Sequence, residues 1–84
     1  MNLSAPTMTV DEGFILANKY RRAIFEELAS GEHNIHYIAK KHRIIKSVAQ
    51  RVIDSFVTEG IVEQKGTTYH FTKEGEKLVQ QLIQ

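Results

Sequence analysis

Apolar side chains recur every three or four residues in several parts of the chain, the spacing that gathers them on one face of an α-helix. Thr9 and Glu12 form the pattern of a capping box, and Gly31 marks a stop, so we predict a first helix over 10–29. Residues 1–8, which contain the only proline, are predicted to form a loose tail. The inner stripe of this helix is expected to be Leu16, Tyr20, Ala23, Ile24 and Leu28.

Two shorter amphipathic helices are predicted in the middle of the chain. Asn34 can cap a helix over 35–42, and Lys46–Ser47 opens another that runs to about Glu59 and stops at Gly60. The second of these helices is expected to turn four side chains inward: Ala49, Val52, Ile53 and Phe56. Two short helices joined by a few residues are the pattern of a helix-turn-helix.

A β-hairpin is predicted next. Segments 61–65 and 68–71 are rich in β-forming residues, and Gly66–Thr67 between them is a two-residue turn signal. Pairing around this turn sets Val62 opposite Phe71 and also joins Gln64 to Tyr69.

The chain is expected to close with a fourth helix. Thr72 can cap it, and Glu74 stands in its first turn, where the helix dipole favours an acid. The order helix, helix, helix, hairpin, helix predicts a single α+β domain, mainly α, over 9–84.

The first and last predicted helices carry more apolar side chains than one small core can receive. A domain of 84 residues has a modest core, and dimerisation would add to its stability. We therefore expect a homodimer whose interface is formed by Phe14, Ile15, Phe25, Leu78, Val79, Leu82 and Ile83. In the alternative, the last helix folds back on its own domain.

Positive charge is concentrated on one segment. The stretch from His33 to Ile53 contains five Lys or Arg and no acid, whereas the other 63 residues hold six Lys or Arg and all ten acids. A balanced chain that collects its positive charge in this way suggests a surface for phosphates. Taken alone, a run of charges can also be a solvated face whose charge is accidental. The helix-turn-helix pattern inside the stretch argues against this alternative.

The predicted face of the helix over 46–59 suits DNA. A helix of this kind fits the major groove, where Gln50 can pair with adenine and Arg51 with guanine through two hydrogen bonds each. Phosphates are expected to be held by Lys40, Lys41 and Arg43. Asp54 lies on the same face and counts slightly against this interpretation.

Other classes of protein find less support in the sequence. The chain contains no cysteine, no Gly-rich phosphate loop and no apolar run long enough to span a membrane, and its start lacks the pattern of a secretion signal. We expect neither an enzyme nor a cofactor, and a cytoplasmic, nucleoid-associated protein. His33 and His36 are a helical turn apart without an acid or cysteine to join them, and His42 occupies a core-like position, so no metal site is expected.

Four runs of the chain together resemble winged helix-turn-helix regulators of the ArsR-like and MarR-like group of bacteria and archaea. They are ILANKYRRAIFEELASGE, HYIAKKHRI, KSVAQRVIDSFVTEGIVEQ and YHFTKEGEKLV, within residues 15–80. The resemblance implies a recognition helix followed by a β-hairpin wing. It also implies DNA-reading positions at Lys46, Ser47, Val48, Gln50, Arg51 and Ser55, with Lys65 at the tip of the wing.

The chain departs from the family pattern at the turn and at the wing, and it lacks the cysteine metal-sensor motif of many ArsR relatives. The family usually ends the second helix with a leucine and a glycine, whereas His42 and Arg43 stand there; if the turn needs a positive φ, Arg43 is strained by about 1 kcal/mol or more. The predicted wing is also short.

We expect a sequence-selective regulator that binds double-stranded DNA as a homodimer. The alternative is a winged-helix module that binds protein or RNA within a larger assembly, because a fold alone does not decide function.

Overall fold

A computed structural model describes residues 12–83 of the chain. Thr9 and the predicted tail over 1–8 lie outside the described residues. The elements are α1 (Glu12–Leu16), α2 (Lys19–Ala29), α3 (Ile35–His42), α4 (Lys46–Thr58), β1 (Val62–Lys65), β2 (Thr68–Phe71) and α5 (Lys73–Ile83). The two strands pair as an antiparallel hairpin, so the described chain is α+β and mainly helical, as predicted.

The first predicted helix is divided in two, and the prediction of one helix over 10–29 is wrong. Asn18 has an extended conformation, and its side-chain oxygen accepts from the backbone N–H groups of Tyr20 and Arg21. Asparagine caps a helix better than it continues one, so α2 starts anew at this point. Arg21 stabilises the break, because its Nη1 donates to the Phe14 carbonyl oxygen (3.0 Å) and its guanidinium lies over the Phe14 ring.

This break changes which side chains of the first segment are buried. Ile15 and Phe25 are each 1% exposed, whereas Leu16, which was predicted to face the core, is exposed. Phe14 is half-buried and packs against the ring of Phe56. Two helices present two faces to one core, so Ile15 and Phe25 need no second copy to cover them. The reason for placing them in a dimer interface is therefore wrong.

The middle of the fold consists of α3 and α4, joined by three residues. Asn34 caps α3 as predicted, accepting from Tyr37 N–H at 3.1 Å. After His42 the chain turns through Arg43, which has φ +56° and ψ +41°. The N–H of Ile44 donates to the Ala39 carbonyl (2.8 Å) and that of Arg43 donates to the carbonyl of Lys40 (3.2 Å), the bond pattern of a Schellman turn. The turn therefore needs a positive φ at Arg43, the condition under which the sequence predicts strain at this residue.

The core lies between α2, α3, α4 and the hairpin. All four residues predicted to face inward on α4 are buried, and Phe56 packs edge-on against Phe25 at a ring distance of 6.4 Å. The other buried apolar residues are Ile24, Leu28, Ile35, Ile38, Ala39, Ile44, Ile61, Val62, Tyr69 and Leu78. The described residues thus share one core, whose packing fixes the outward face of α4.

The hairpin has the predicted register, with Val62 opposite Phe71 and Gln64 opposite Tyr69. It is tied to the loop before α3, because Tyr69 N–H donates to the His33 carbonyl (3.1 Å) and His33 Nδ1 donates to the Tyr69 carbonyl (2.8 Å). These two bonds hold the hairpin against the segment that carries α3 and α4.

The last helix, α5, is capped by Thr72, whose hydroxyl accepts from Gly75 N–H (3.1 Å) as predicted. Gly75 is buried against the Ile61 carbonyl oxygen, where a larger residue would not fit. Leu78 lies in the core of its own domain, so the expectation that it faces a second copy is wrong. The remaining apolar residues of α5 are more open: Val79 and Leu82 are half-buried and Ile83 is 47% exposed.

Candidate nucleic-acid interface

The outward face of α4 includes residues from the N-terminus of the helix onward. Lys46, Ser47 and Arg51 are exposed, whereas Val48 and Gln50 are half-buried. Ser55 is also half-buried, and its hydroxyl donates to the Val52 carbonyl (2.6 Å). The first two turns of α4 therefore lie at the surface, and their charged groups are the most accessible. The hydroxyl of Ser55 already has a hydrogen-bond partner within the helix.

Four cations at and around this face have no acidic partner among residues 12–83. They are Lys40 on α3, Arg43 in the turn, and Lys46 and Arg51 on α4, and all four are exposed. Lysine and arginine side chains that are already extended in water and unpaired can meet a phosphate without breaking an ion pair. Four of the predicted contact residues thus lie on α3, the turn and α4 without an ion pair that an anion would have to displace.

Lys41 is in a different state. Its Nζ lies 2.9 Å from Glu27 Oε2 on α2, and His42 Nε2 donates to the same oxygen at 2.7 Å. The bonds from His42 and Lys41 lower the pKa of the Glu27 carboxyl, and Glu27 in turn raises the pKa of Lys41. This cluster joins α3 to α2 and neutralises one of the predicted phosphate contacts.

His42 is therefore on the surface. Its predicted core-like position is wrong because Arg43 turns the chain immediately after it, and the core is closed by Ile35, Ile38 and Ala39 instead. No group of three His, Asp or Glu side chains suited to a metal ion is present among the described residues.

Gln50, predicted to read adenine, is engaged within the protein. Its Nε2 donates to Asp54 Oδ1 at 2.9 Å and lies 3.4 Å from the Tyr69 hydroxyl of the hairpin. Gln50 can reach a base as a donor only by leaving these partners. Lys65, predicted for the wing tip, ends β1 and lies 3.7 Å from Glu63 on the same strand.

The structure adds residues that the sequence pattern did not single out. His36 lines a groove with Lys40 and Lys46, and Lys19 lines a second one with Arg43. The helical spacing of His36 and Lys40 could have indicated the first groove. Lys19 could not have been found in this way, because only the packing of α2 against the turn brings it there.

The exposed turn also carries an apolar side chain. Ile45 is 71% exposed, and it stands between Arg43 and Lys46 at the start of α4, where no side chain caps the helix. An apolar group at the entrance of a charged helix can contact a thymine methyl or a sugar.

Comparisons with protein-family models, curated proteins and solved structures returned no match for this chain. Among residues 12–83, no helix has both the length and the apolar character needed to cross a membrane.

Proposed function

We propose that the chain is a sequence-selective double-stranded DNA-binding regulator with a winged helix-turn-helix fold. In this proposal α3 and α4 form the helix-turn-helix, the β1–β2 hairpin is a short wing, and α4 enters the major groove. Such a regulator would act in the cytoplasm of a bacterium or archaeon, where it would be associated with the nucleoid.

The observation that carries the proposal is the set of four exposed, unpaired cations on α3, the turn and α4. Among the other exposed lysines and arginines of residues 12–83, Lys41, Lys65 and Lys77 each lie within 4.0 Å of a glutamate, whereas Lys19, Arg22 and Lys73 form no ion pair and are divided between α2 and α5. Leaving Lys40, Arg43, Lys46 and Arg51 without acids on one continuous segment gives that segment a local field of one sign, which attracts a polyanion.

The four cations take different roles in this proposal. Lys40 and Arg43 flank the start of α4 and would hold phosphates on either side of the groove, with Lys46 at the helix N-terminus. Arg51, one turn further along, is the candidate for guanine, since its planar guanidinium can donate two parallel hydrogen bonds to guanine O6 and N7. Lys41 contributes little while Glu27 holds it.

Homodimerisation is part of the proposal and depends on the end of α5. Leu82 and Ile83 line a groove with Ala29 of α2, and Ile83 is largely open. A symmetric contact between two copies of this surface would cover both residues. It would place two copies of α4 about one helical turn of DNA apart, roughly 34 Å, and read an inverted repeat.

Selection from random DNA tests the proposed function. The protein is incubated with random-sequence duplex DNA and, separately, with random-sequence RNA, and the bound fraction is sequenced through several rounds. We expect a duplex DNA motif arranged as an inverted repeat, and no comparable RNA motif. Arg51→Ala should relax the preference at one position of the half-site, whereas Arg22→Ala, which removes an exposed arginine of α2, should leave the motif unchanged. Absence of a DNA motif, or equal enrichment of RNA, would overturn the proposal.

A further inference from the structure

Asp54 and Gln50 form a hydrogen-bonded pair on the exposed side of α4. They are four residues apart on the helix, and Gln50 Nε2 donates to Asp54 Oδ1 at 2.9 Å. Gln–Asp pairs at this spacing are favourable on a helix surface. Asp54 is exposed and forms no ion pair within residues 12–83, although Arg51 stands only one turn away.

The chemistry of the pair fixes the orientation of the amide. An ionised carboxylate can only accept hydrogen bonds, so the amide nitrogen of Gln50, not its oxygen, must face Asp54. The second N–H of the same nitrogen is directed to the Tyr69 hydroxyl at 3.4 Å, and Tyr69 is buried in the core. Both donors of Gln50 therefore have partners, and its Oε1 accepts no hydrogen bond from residues 12–83.

The groups of this pair that remain available are all acceptors. They are Oε1 of Gln50 and the carboxylate oxygens of Asp54, whose lone pairs are not exhausted by one bond. In the major groove, cytosine offers a donor at N4 and adenine at N6, whereas guanine and thymine offer only acceptors on their own edges.

We infer that Asp54 and Gln50 act as one specificity-determining unit that selects a base carrying an exocyclic amino group, adenine or cytosine, on the contacted strand. This inference rests on the proposed function and sharpens it: Gln50 reads through its oxygen while Asp54 holds its nitrogen. Guanine or thymine at that position would place its O6 or O4 atom next to the Asp54 carboxylate, and these acceptor oxygens repel each other.

The arrangement also separates the roles of neighbouring residues on α4. Arg51 offers only donors and suits guanine, and Asp54 one turn later offers only acceptors. A helix that alternates donor and acceptor groups in this way reads a mixed half-site. A helix that offered cations alone could select guanine but would have no group to accept a hydrogen bond from adenine N6 or cytosine N4.

Selection with two matched charge variants tests the inference. Asp54→Asn keeps an oxygen for Gln50 Nε2 but presents an N–H₂ group in place of the second carboxylate oxygen. Glu59→Gln removes the same charge from an exposed acid just beyond the end of α4. Both changes are on the surface, and the thermal unfolding of each variant is compared with that of the wild type to confirm that it folds.

We expect the wild-type motif to contain one position per half-site at which adenine or cytosine exceeds guanine and thymine by about tenfold. Asp54→Asn should remove most of that preference, and Glu59→Gln should keep it while binding all sequences somewhat more tightly. An unchanged base preference in Asp54→Asn would overturn the inference, as would a wild-type DNA motif without such a position. In those cases the proposed function survives, because DNA is still bound; a wild-type protein that binds no DNA overturns both.

Discussion

Replacing Arg43 by glycine should make the protein more stable and weaken its binding to DNA. Arg43 has φ +56° in the turn between α3 and α4, a conformation that costs an L-residue with a Cβ roughly 1–2 kcal/mol. The same pair of turn hydrogen bonds ends α4, where the residue of positive φ is Gly60. The same pair also ends α2 at Gly31 (φ +110°), so the fold uses one turn type three times, with glycine at the positive-φ position of two turns and arginine at that of the third.

The gain from Arg43→Gly is smaller than the strain itself. Glycine also loses more backbone entropy on folding, about 0.5–1 kcal/mol, so the free energy of unfolding should rise by roughly 0.5–1 kcal/mol. In a domain of this size that corresponds to a rise in Tm of about 4 °C. Removing one of the four unpaired cations should flatten the dependence of log Kd on log salt by about 0.9 per protomer.

Thermal unfolding and DNA titration are measured on Arg43→Gly and on Arg43→Ala. Alanine removes the same charge but keeps a Cβ at positive φ, so it should weaken DNA binding equally without raising Tm. Gly60→Ala is the reciprocal control: nothing lies within 4 Å of its added Cβ, so its expected loss of about 1 kcal/mol comes from the backbone alone. If Arg43→Gly is no more stable than Arg43→Ala, the account of strain at this turn is refuted.

Three further changes test other parts of the structure. Glu27→Gln should release the neighbouring lysine for DNA and steepen the salt dependence by about 0.9 per protomer, while Glu26→Gln, an exposed acid next to it, should not. The pKa of the Glu27 carboxyl is held below its usual 4.5, so its ionised form stabilises the fold above that value. This contribution is lost as pH falls through the lower pKa of the folded state. The difference in stability between wild type and Glu27→Gln, measured by urea unfolding, should therefore disappear in acid. Gly75→Ala should cost about 1–3 kcal/mol in urea unfolding, since its methyl group would overlap a backbone carbonyl, and wild-type stability there would contradict the packing of α5. The double variant Leu82→Glu, Ile83→Glu should sediment as a folded monomer that binds DNA more weakly. An unfolded variant would show that these residues pack within their own domain. A wild-type protein that stays monomeric at high concentration would rule the dimer out.

The elements that the sequence predicted well have strong local signals. The bounds of α3, the register of the hairpin and the caps at Asn34 and Thr72 follow from residues within a few positions of each other. The positive φ at Arg43 was also foreseen as a possible source of strain, since a turn at this point favours glycine.

The features that the sequence predicted wrongly depend on competition between local conformational preferences or on contacts between residues far apart in the sequence. The helical pattern of the first segment continues through Asn18, so periodicity alone does not reveal that capping ends α1 there. Once the helix is divided, Ile15 and Phe25 reach the core, which removes them from the expected dimer interface. Glu27 meets His42 across 15 positions of sequence, and no local pattern shows such a contact.

The candidate site was predicted in outline, and the structure alters the state of its members. The segment and most of its cations follow from the charge pattern. Whether a given side chain is free depends on neighbours: Lys41 has an acid from α2, and Gln50 has Asp54 and the hairpin. The spacing of Gln50 and Asp54 was visible in the sequence and could have indicated their pairing.

The salt dependence of duplex DNA binding tests the central claim most directly. Kd for a selected duplex is measured between about 50 and 200 mM salt; three phosphate contacts per protomer, from Lys40, Arg43 and Lys46, predict a slope of log binding constant against log salt of about −2.7 per protomer. Lys40→Ala should reduce this slope by about 0.9 and weaken all sequences alike, whereas Lys73→Ala, an exposed lysine of α5, should change neither. A slope near zero, no complex at the lowest salt, or an equal effect of Lys73→Ala would contradict a DNA-binding surface on α3, the turn and α4.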